Sequence, residues 1–363
     1  MTLSTVWFVI VAFFWTGFFV LEGFDFGVGA LHKILGRTDL ERRVAINTIG
    51  PVWDGNEVWL VVAGASMFAA FPNWYASWFS ALYLALWLLL AALIIRGVSF
   101  EFRGKFDRPG WRSTWSWTLT IGSVLAPLLF GIGLGDLLAG LPIDAAGDFT
   151  GTFLDLLTPY GLFLGVTLLL LCLLHGSTFL SIRSTGIVLH RAQAIAGRLS
   201  IPAAVLVAGY AVWTYALARP GFWGILALAV PLAAAVTAAA LVLGGRAGGR
   251  AFAATAVAIG GVIAALFANL YPNLLISTTD PANTLTVANS TASAYSLQVI
   301  TIVAAVMVPL VLLYQGWTYY VFRRRVVGPP AAPAQSGPPA APGPLAAPAD
   351  RTPDRADQQR PRG

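Results

Sequence analysis

Apolar residues run along this chain in long stretches broken by short polar connections. A window of about 20 residues, enough to cross a bilayer as a helix, finds nine such stretches, roughly 6–31, 46–71, 75–100, 115–139, 159–182, 199–218, 222–245, 252–272 and 295–322. The pattern predicts an all-α integral membrane protein of about nine transmembrane helices. No Lys or Arg precedes Lys33, and no small-residue cleavage signal followed by a soluble domain is present. The first stretch therefore reads as a retained helix and not as a signal peptide.

The polar connections orient these helices. Basic residues gather after spans 1, 3, 5 and 7 and after the last span: Lys33, Arg37, Arg42 and Arg43 in the first group, Arg96, Arg103, Lys105, Arg108 and Arg112 in the second. Counted this way, 21 of the 22 Lys and Arg residues fall on one side and only Arg219 on the other. Basic loops stay in the cytoplasm, so the N-terminus is expected outside and the C-terminus inside. The opposite connections, 140–158 and 273–294, are acidic or rich in Ser, Thr and Asn and do not resemble enzyme domains. Residues 1–325 thus form a polytopic membrane domain. Residues 326–363 form a Pro/Ala-rich stretch too poor in apolar surface to fold, expected as a disordered cytoplasmic tail.

Composition agrees: 57% of residues are hydrophobic and 10% charged, against about 25% charged in soluble domains. The net charge of +6 does not point to nucleic acid, because the basic residues sit in short loops between apolar spans. Cys172 is the single cysteine, lies inside a span and reads as packing.

Four carboxylates interrupt the apolar pattern: Glu22 and Asp25 in LEGFDFGVG, and Asp54 and Glu57 in GPVWDGNEVWL. Ionisable groups at membrane depth are costly and mark function by default. Each pair is spaced i,i+3 and shares a helix face. At about 1.5 Å rise per residue, Asp25 and Asp54 lie at similar depth on spans expected to be antiparallel neighbours, which predicts a four-carboxylate cluster. Asn47 and Asn56 add polar groups, and Pro51 is expected to bend the helix and free the Asn47 carbonyl. Such a set suits a hydrated proton path; the bland alternative is interhelical hydrogen bonding or a subunit interface.

Other candidates carry less. His32 and His190 fall in the basic connections and His175 in a span, where, without a second histidine at i,i+3 or i,i+4, it is a weak haem ligand and reads better as a helix-packing group. No metal site is expected on this chain. The aromatic run at 71–83 reads as an interfacial belt, and the glycines of GFDFGVG as allowing close helix approach.

GFDFGVG at 23–29, LGRTDLERR at 35–43, NTIGPVWDGNEVWL at 47–60, FAAFPNWYA at 68–76, RGVSFEFRGK at 96–105, LTPYGLFLG at 157–165, HGSTFL at 175–180 and NSTASAYSL at 289–297 together resemble subunit II of the cytochrome bd quinol oxidases, over about residues 1–325. The resemblance implies a multi-pass protein of the bacterial cytoplasmic membrane, folded as two four-helix bundles plus one extra helix. It would act in a complex that reduces O2 to water with electrons from quinol, taking protons from the cytoplasm. Two b-type haems and one d-type haem would reside on the partner, subunit I, and small single-span subunits are compatible. Asp25 and Asp54 match acids associated with proton delivery or support of the haem region, and Trp53 and Trp59 match aromatic positions beside which an apolar route for O2 can run. Glu57 and His175 occupy positions where the family tolerates Gln and a non-ligating residue. A proton-coupled transporter using the acid cluster, and a purely structural membrane subunit, are the alternative readings.

Overall fold

Twelve helices make up most of the computed structural model, which describes residues 2–327. They are α1 (Leu3–Leu35), α2 (Asp39–Ile49), α3 (Trp53–Ala70), α4 (Pro72–Ala81), α5 (Tyr83–Phe102), α6 (Pro109–Ala139), α7 (Pro159–Arg183), α8 (Gly186–Ala218), α9 (Phe222–Leu243), α10 (Gly249–Leu270), the short α11 (Val287–Ser290) and α12 (Ala294–Val321). From residue 328 onward, the expected tail lies outside the described residues. Among the described residues, eight helices are long and apolar enough to cross a membrane: α1, α5 to α10, and α12.

The expected span at 46–71 departs from this pattern. Its chain is divided between α2 and α3 by the Gly50–Pro51–Val52 break, where proline cannot donate to the Asn47 carbonyl. Asp54, Asn56 and Glu57 then occupy the first turns of the 18-residue α3, which leaves that helix without the uninterrupted apolar stretch that the eight possess. The expected span at 75–100 is likewise divided, into α4 and α5 on either side of Leu82.

α1 is the central element, with α3, α6, α7 and α10 packed around it. α5 lies on α6, while α7, α8, α9 and α10 pack in sequence and α10 returns to α7. α12 rests on α3 and buries only Leu297 and Gln315. Close approach explains the glycine-rich sequence of α1. A Cβ at Gly27 would stand 1.9 Å from the Cys172 carbonyl oxygen and 2.9 Å from the Gly176 Cα, so α1 and α7 touch backbone to backbone.

At the basic end, Thr38 and Glu41 form a capping box that starts α2, a device that contributes about 1 kcal/mol. Glu41 Oε2 also accepts from the Arg37 N–H (2.7 Å) and from Arg191 Nη1 of α8 (2.7 Å). Burial pulls the Glu41 carboxyl up, but these donors outweigh it and hold its pKa below the usual carboxylate value. The stability it adds is therefore full above the ordinary carboxylate range and is lost as pH falls through the lowered value. Arg191 and Arg198, expected in a connection, lie on the extended start of α8, and His32 is buried in the last turn of α1 instead of standing in a loop.

At the opposite end the connections depart from an all-helical plan. β1 (Asn273–Leu275) pairs antiparallel with β2 (Leu285–Thr286), and the Leu141 N–H donates to the Ile276 carbonyl at 2.9 Å. Leu141, Ile143, Leu274 and Leu275 are buried beneath this cap.

Candidate functional site

The backbone contact at Gly27 fixes α1 against α7, and the same helix carries Glu22 and Asp25, both wholly buried. Their counter-charge is Arg96, inside α5 and also wholly buried. Arg96 Nη2 lies 2.6 Å from Glu22 Oε1 and Nη1 lies 2.8 Å from Glu57 Oε1, while Nε donates to Ser123 Oγ at 3.3 Å. Its guanidinium carbon stands 4.8 Å from the centroid of Phe26 and 5.4 Å from that of Phe100. The approach to Glu22 is an ion pair without a well-angled hydrogen bond; both Glu22 oxygens and Asp25 Oδ1 lack a hydrogen-bond partner among the described residues.

Charge counting placed Arg96 in a cytoplasmic connection, and the structure corrects this. The expected third span ran to residue 100 and so already enclosed Arg96, which is the signal that could have found it. A guanidinium inside a span requires buried acids, and the neighbouring helices supply them.

Asn56 joins the acids to two further helices. Its Nδ2 donates to Asp25 Oδ2 (2.6 Å) and to the Leu21 carbonyl (3.2 Å), while its Oδ1 accepts from Gln315 Nε2 (2.8 Å) and Tyr319 OH (2.9 Å) of α12. A buried amide with both ends occupied fixes one arrangement of α1, α3 and α12.

The structure brings Glu22, Asp25 and Glu57 together but not Asp54. Asp54 is exposed and makes no hydrogen bond or ion pair among the described residues. It shares an outward stripe with Asn47, Pro51, Val58 and Val61, all exposed. The expected four-carboxylate cluster is thus three acids around one arginine, with the fourth acid on the outer face of the same helix. The physical reason is that an i,i+3 pair is only approximately aligned, and packing of α1 against α3 covers Glu57 and leaves Asp54 outside.

Trp53 stacks on Phe100 with centroids 4.6 Å apart. Trp59 is buried over Gly17, where a Cβ would stand 2.3 Å from its ring. A cavity of about 530 Å³ is lined by Trp15, Leu60, Phe68, Trp78, Leu86 and Phe130 among others; neither Trp53 nor Trp59 contributes to its walls. Asp136 is a further wholly buried acid, near the end of α6, whose Oδ1 accepts from Thr158 Oγ1 at 2.6 Å. Its signal was an acid within the apolar run GLGDLLAG.

His175 stacks on Phe252, with centroids 4.6 Å apart and planes 3° from parallel. Nε2 donates to the Val20 carbonyl at 3.1 Å, and Nδ1 lies 2.7 Å from Thr255 Oγ1. Both ring nitrogens are engaged, so the donor set around this histidine does not fit an axial haem ligand. Nor do the described residues hold a group of three or more His, Cys, Asp or Glu side chains suited to a metal ion.

A family model described as cytochrome bd terminal oxidase subunit II matches residues 3–322. The cytochrome bd ubiquinol oxidase subunit 2 of Bacillus subtilis (strain 168) is 40% identical over 329 residues, covering 90% of this chain and 97% of that protein. The cytochrome bd-I ubiquinol oxidase subunit 2 of Escherichia coli (strain K12) is 34% identical over 360 residues, covering 89% and 95%. A chain in the structure of bd oxidase from Geobacillus thermodenitrificans superposes with a TM-score of 0.67 at 18% identity, covering 88% of this chain and 97% of that one. That likeness speaks to the fold.

Proposed function

Because the chain belongs to the cytochrome bd terminal oxidase subunit II family, we propose that it is the subunit of a quinol:O2 oxidoreductase that carries protons toward a haem-bearing subunit I without ligating haem itself. In this reading the two b-type haems and the d-type haem sit on the partner and supply the redox chemistry there. Nine spans are retained by counting α3 as the second, with the N-terminus outside, the C-terminus in the cytoplasm and the helices grouped as two four-helix bundles with α12 as the extra one. Quinol as reductant, the bacterial cytoplasmic membrane as location and small accessory subunits all belong to this proposal. So do Trp53 and Trp59 as flanking groups of an apolar O2 route.

The observation that carries it is the division of the α3 acids. Glu57 faces inward to Arg96 and the α1 carboxyls, while Asp54 stands on the exposed stripe one turn away. An acid on an apolar outward face needs a covering partner, and that stripe continues along α3 beside the largely exposed α12. Subunit I seated there would bury Asp54 and place it between the interior acids and the partner's haem region. Asp25, Asn56 and Glu57 would hold the inner end of the path.

The test replaces Asp54 with Asn, which retains size but removes proton exchange. Asp54→Asn is expected to slow quinol oxidation about tenfold, equivalent to about 1.4 kcal/mol on the barrier, with unchanged haem spectra; Glu57→Gln should be milder. Full turnover in both Asp25→Asn and Asp54→Asn, with normal spectra, would remove the proton role and leave the acids as structural groups.

A further inference from the structure

At the basic end of the molecule, cations gather without matching acids. Lys33 closes α1, Arg42 lies in the first turn of α2 and Arg103 caps α5; they act on one another electrostatically and on His32. The nearby carboxylates are committed elsewhere. Asp39 pairs with Arg103 and, at 2.9 Å, with Arg112, while Glu41 pairs with Arg191 at 2.7 Å. Among the described residues, neither Lys33 nor Arg42 has a carboxylate partner. Arg42 Nε donates to the Gly36 carbonyl at 2.9 Å, which fixes the side chain and leaves its terminal nitrogens uncommitted. Assembling like charges in this way costs free energy that an anion would relieve.

The surroundings say which kind of anion. Lys33 Nζ lies 4.0 Å from the centroid of the Trp117 ring, and Trp117 is half exposed at 54%. Four and eight residues further along α6, Ile121 and Leu125 are also exposed, so an apolar stripe at helical spacing leads away from the cations into the membrane. Phe102 and Phe106 are exposed nearby, with Trp111 and Trp115 in contact with them. Aromatic side chains of this kind settle at the membrane–water boundary.

We propose that Lys33 and Arg42, backed by Arg103 and seated beside Trp117, bind the phosphate of an anionic phospholipid whose acyl chain lies along Trp117, Ile121 and Leu125. Basic residues at the inner surface attract acidic lipids, but here a fixed guanidinium, an ammonium on an aromatic face and an adjoining apolar stripe form a built site. A free phosphate would use the cations and gain nothing from the stripe.

The test uses the purified, delipidated membrane assembly that contains this chain, with lipid retention read by native mass spectrometry and thermal stability read in parallel. Phosphatidylglycerol is expected to be retained about tenfold more than phosphatidylcholine and to raise the melting temperature, whereas inorganic phosphate should not. Lys33→Gln and Arg42→Gln should each reduce that preference, Lys33→Arg should keep it, and Arg246→Gln, on the same basic end but outside the site, should leave it unchanged. Equal retention of the two lipids, equal protection by inorganic phosphate, or an equal loss in Arg246→Gln would overturn the proposal. If Lys33→Gln does not assemble, Arg42→Gln and Lys33→Arg still decide it.

Discussion

Arg96→Leu is expected to eliminate most folded protein. Arg96 is wholly buried and, among the described residues, is the one cation in contact with Glu22 and Glu57, with Asp25 beside them. Removing one partner of a buried ion pair leaves uncompensated charge and costs about 3–5 kcal/mol, a large part of the roughly 5–15 kcal/mol that holds a typical protein folded. Two acids lose their partner at once here, so the upper end of that range is expected. Arg96→Lys should recover part of the loss, since an ammonium retains the charge but cannot span both carboxylates as the planar guanidinium does. Adding Glu22→Gln to Arg96→Leu should also recover part of it. Membrane yield and thermal unfolding in detergent check the series; Arg96→Leu within about 1 kcal/mol of the parent would mean that the acids are not held by this pair.

Gly27→Ala is the second large effect. The added methyl would fall 1.9 Å from the Cys172 carbonyl oxygen, a backbone atom on a helix that cannot turn aside. Overpacking ordinarily costs about 1–3 kcal/mol, and contact with the α7 backbone at both Cys172 and Gly176 should exceed it by forcing α1 and α7 apart. Since α1 bears Glu22 and Asp25, their distances to Arg96 and Asn56 would change as well. Gly197→Ala is the matched control. Nothing lies within 4 Å of its Cβ position in mid-α8, so helix propensity should make it neutral or stabilising by up to about 1 kcal/mol. Similar thermal unfolding of the two variants would refute the account of the α1–α7 contact.

Much of this could be read from the chain because membrane helices advertise themselves by length and hydrophobicity, and the shared face of Glu22 and Asp25 followed from their spacing. Three features could not be read in that way. For Arg96, a basic residue near a span end goes by default to the connection, whereas a guanidinium turns inward when acids on neighbouring helices meet it. Asp54 and Glu57 separate because an i,i+3 spacing names a face without saying where its edge lies. The role of Asn56 depends on Gln315 and Tyr319, more than 250 residues away, and no local pattern connects them.

The distance in sequence between Glu22 and Arg96 also sets an order of events. Ribosomes add about 5–20 residues per second, so several seconds separate the emergence of the first helix from that of the arginine that pairs with it. During that interval α1 carries two carboxyl groups whose buried counter-charge, Arg96, has not yet been made. Release of α1 alone into lipid would expose those groups to hydrocarbon, so α1 is expected either to enter with its carboxyls protonated or to stay with the insertion machinery until α5 arrives.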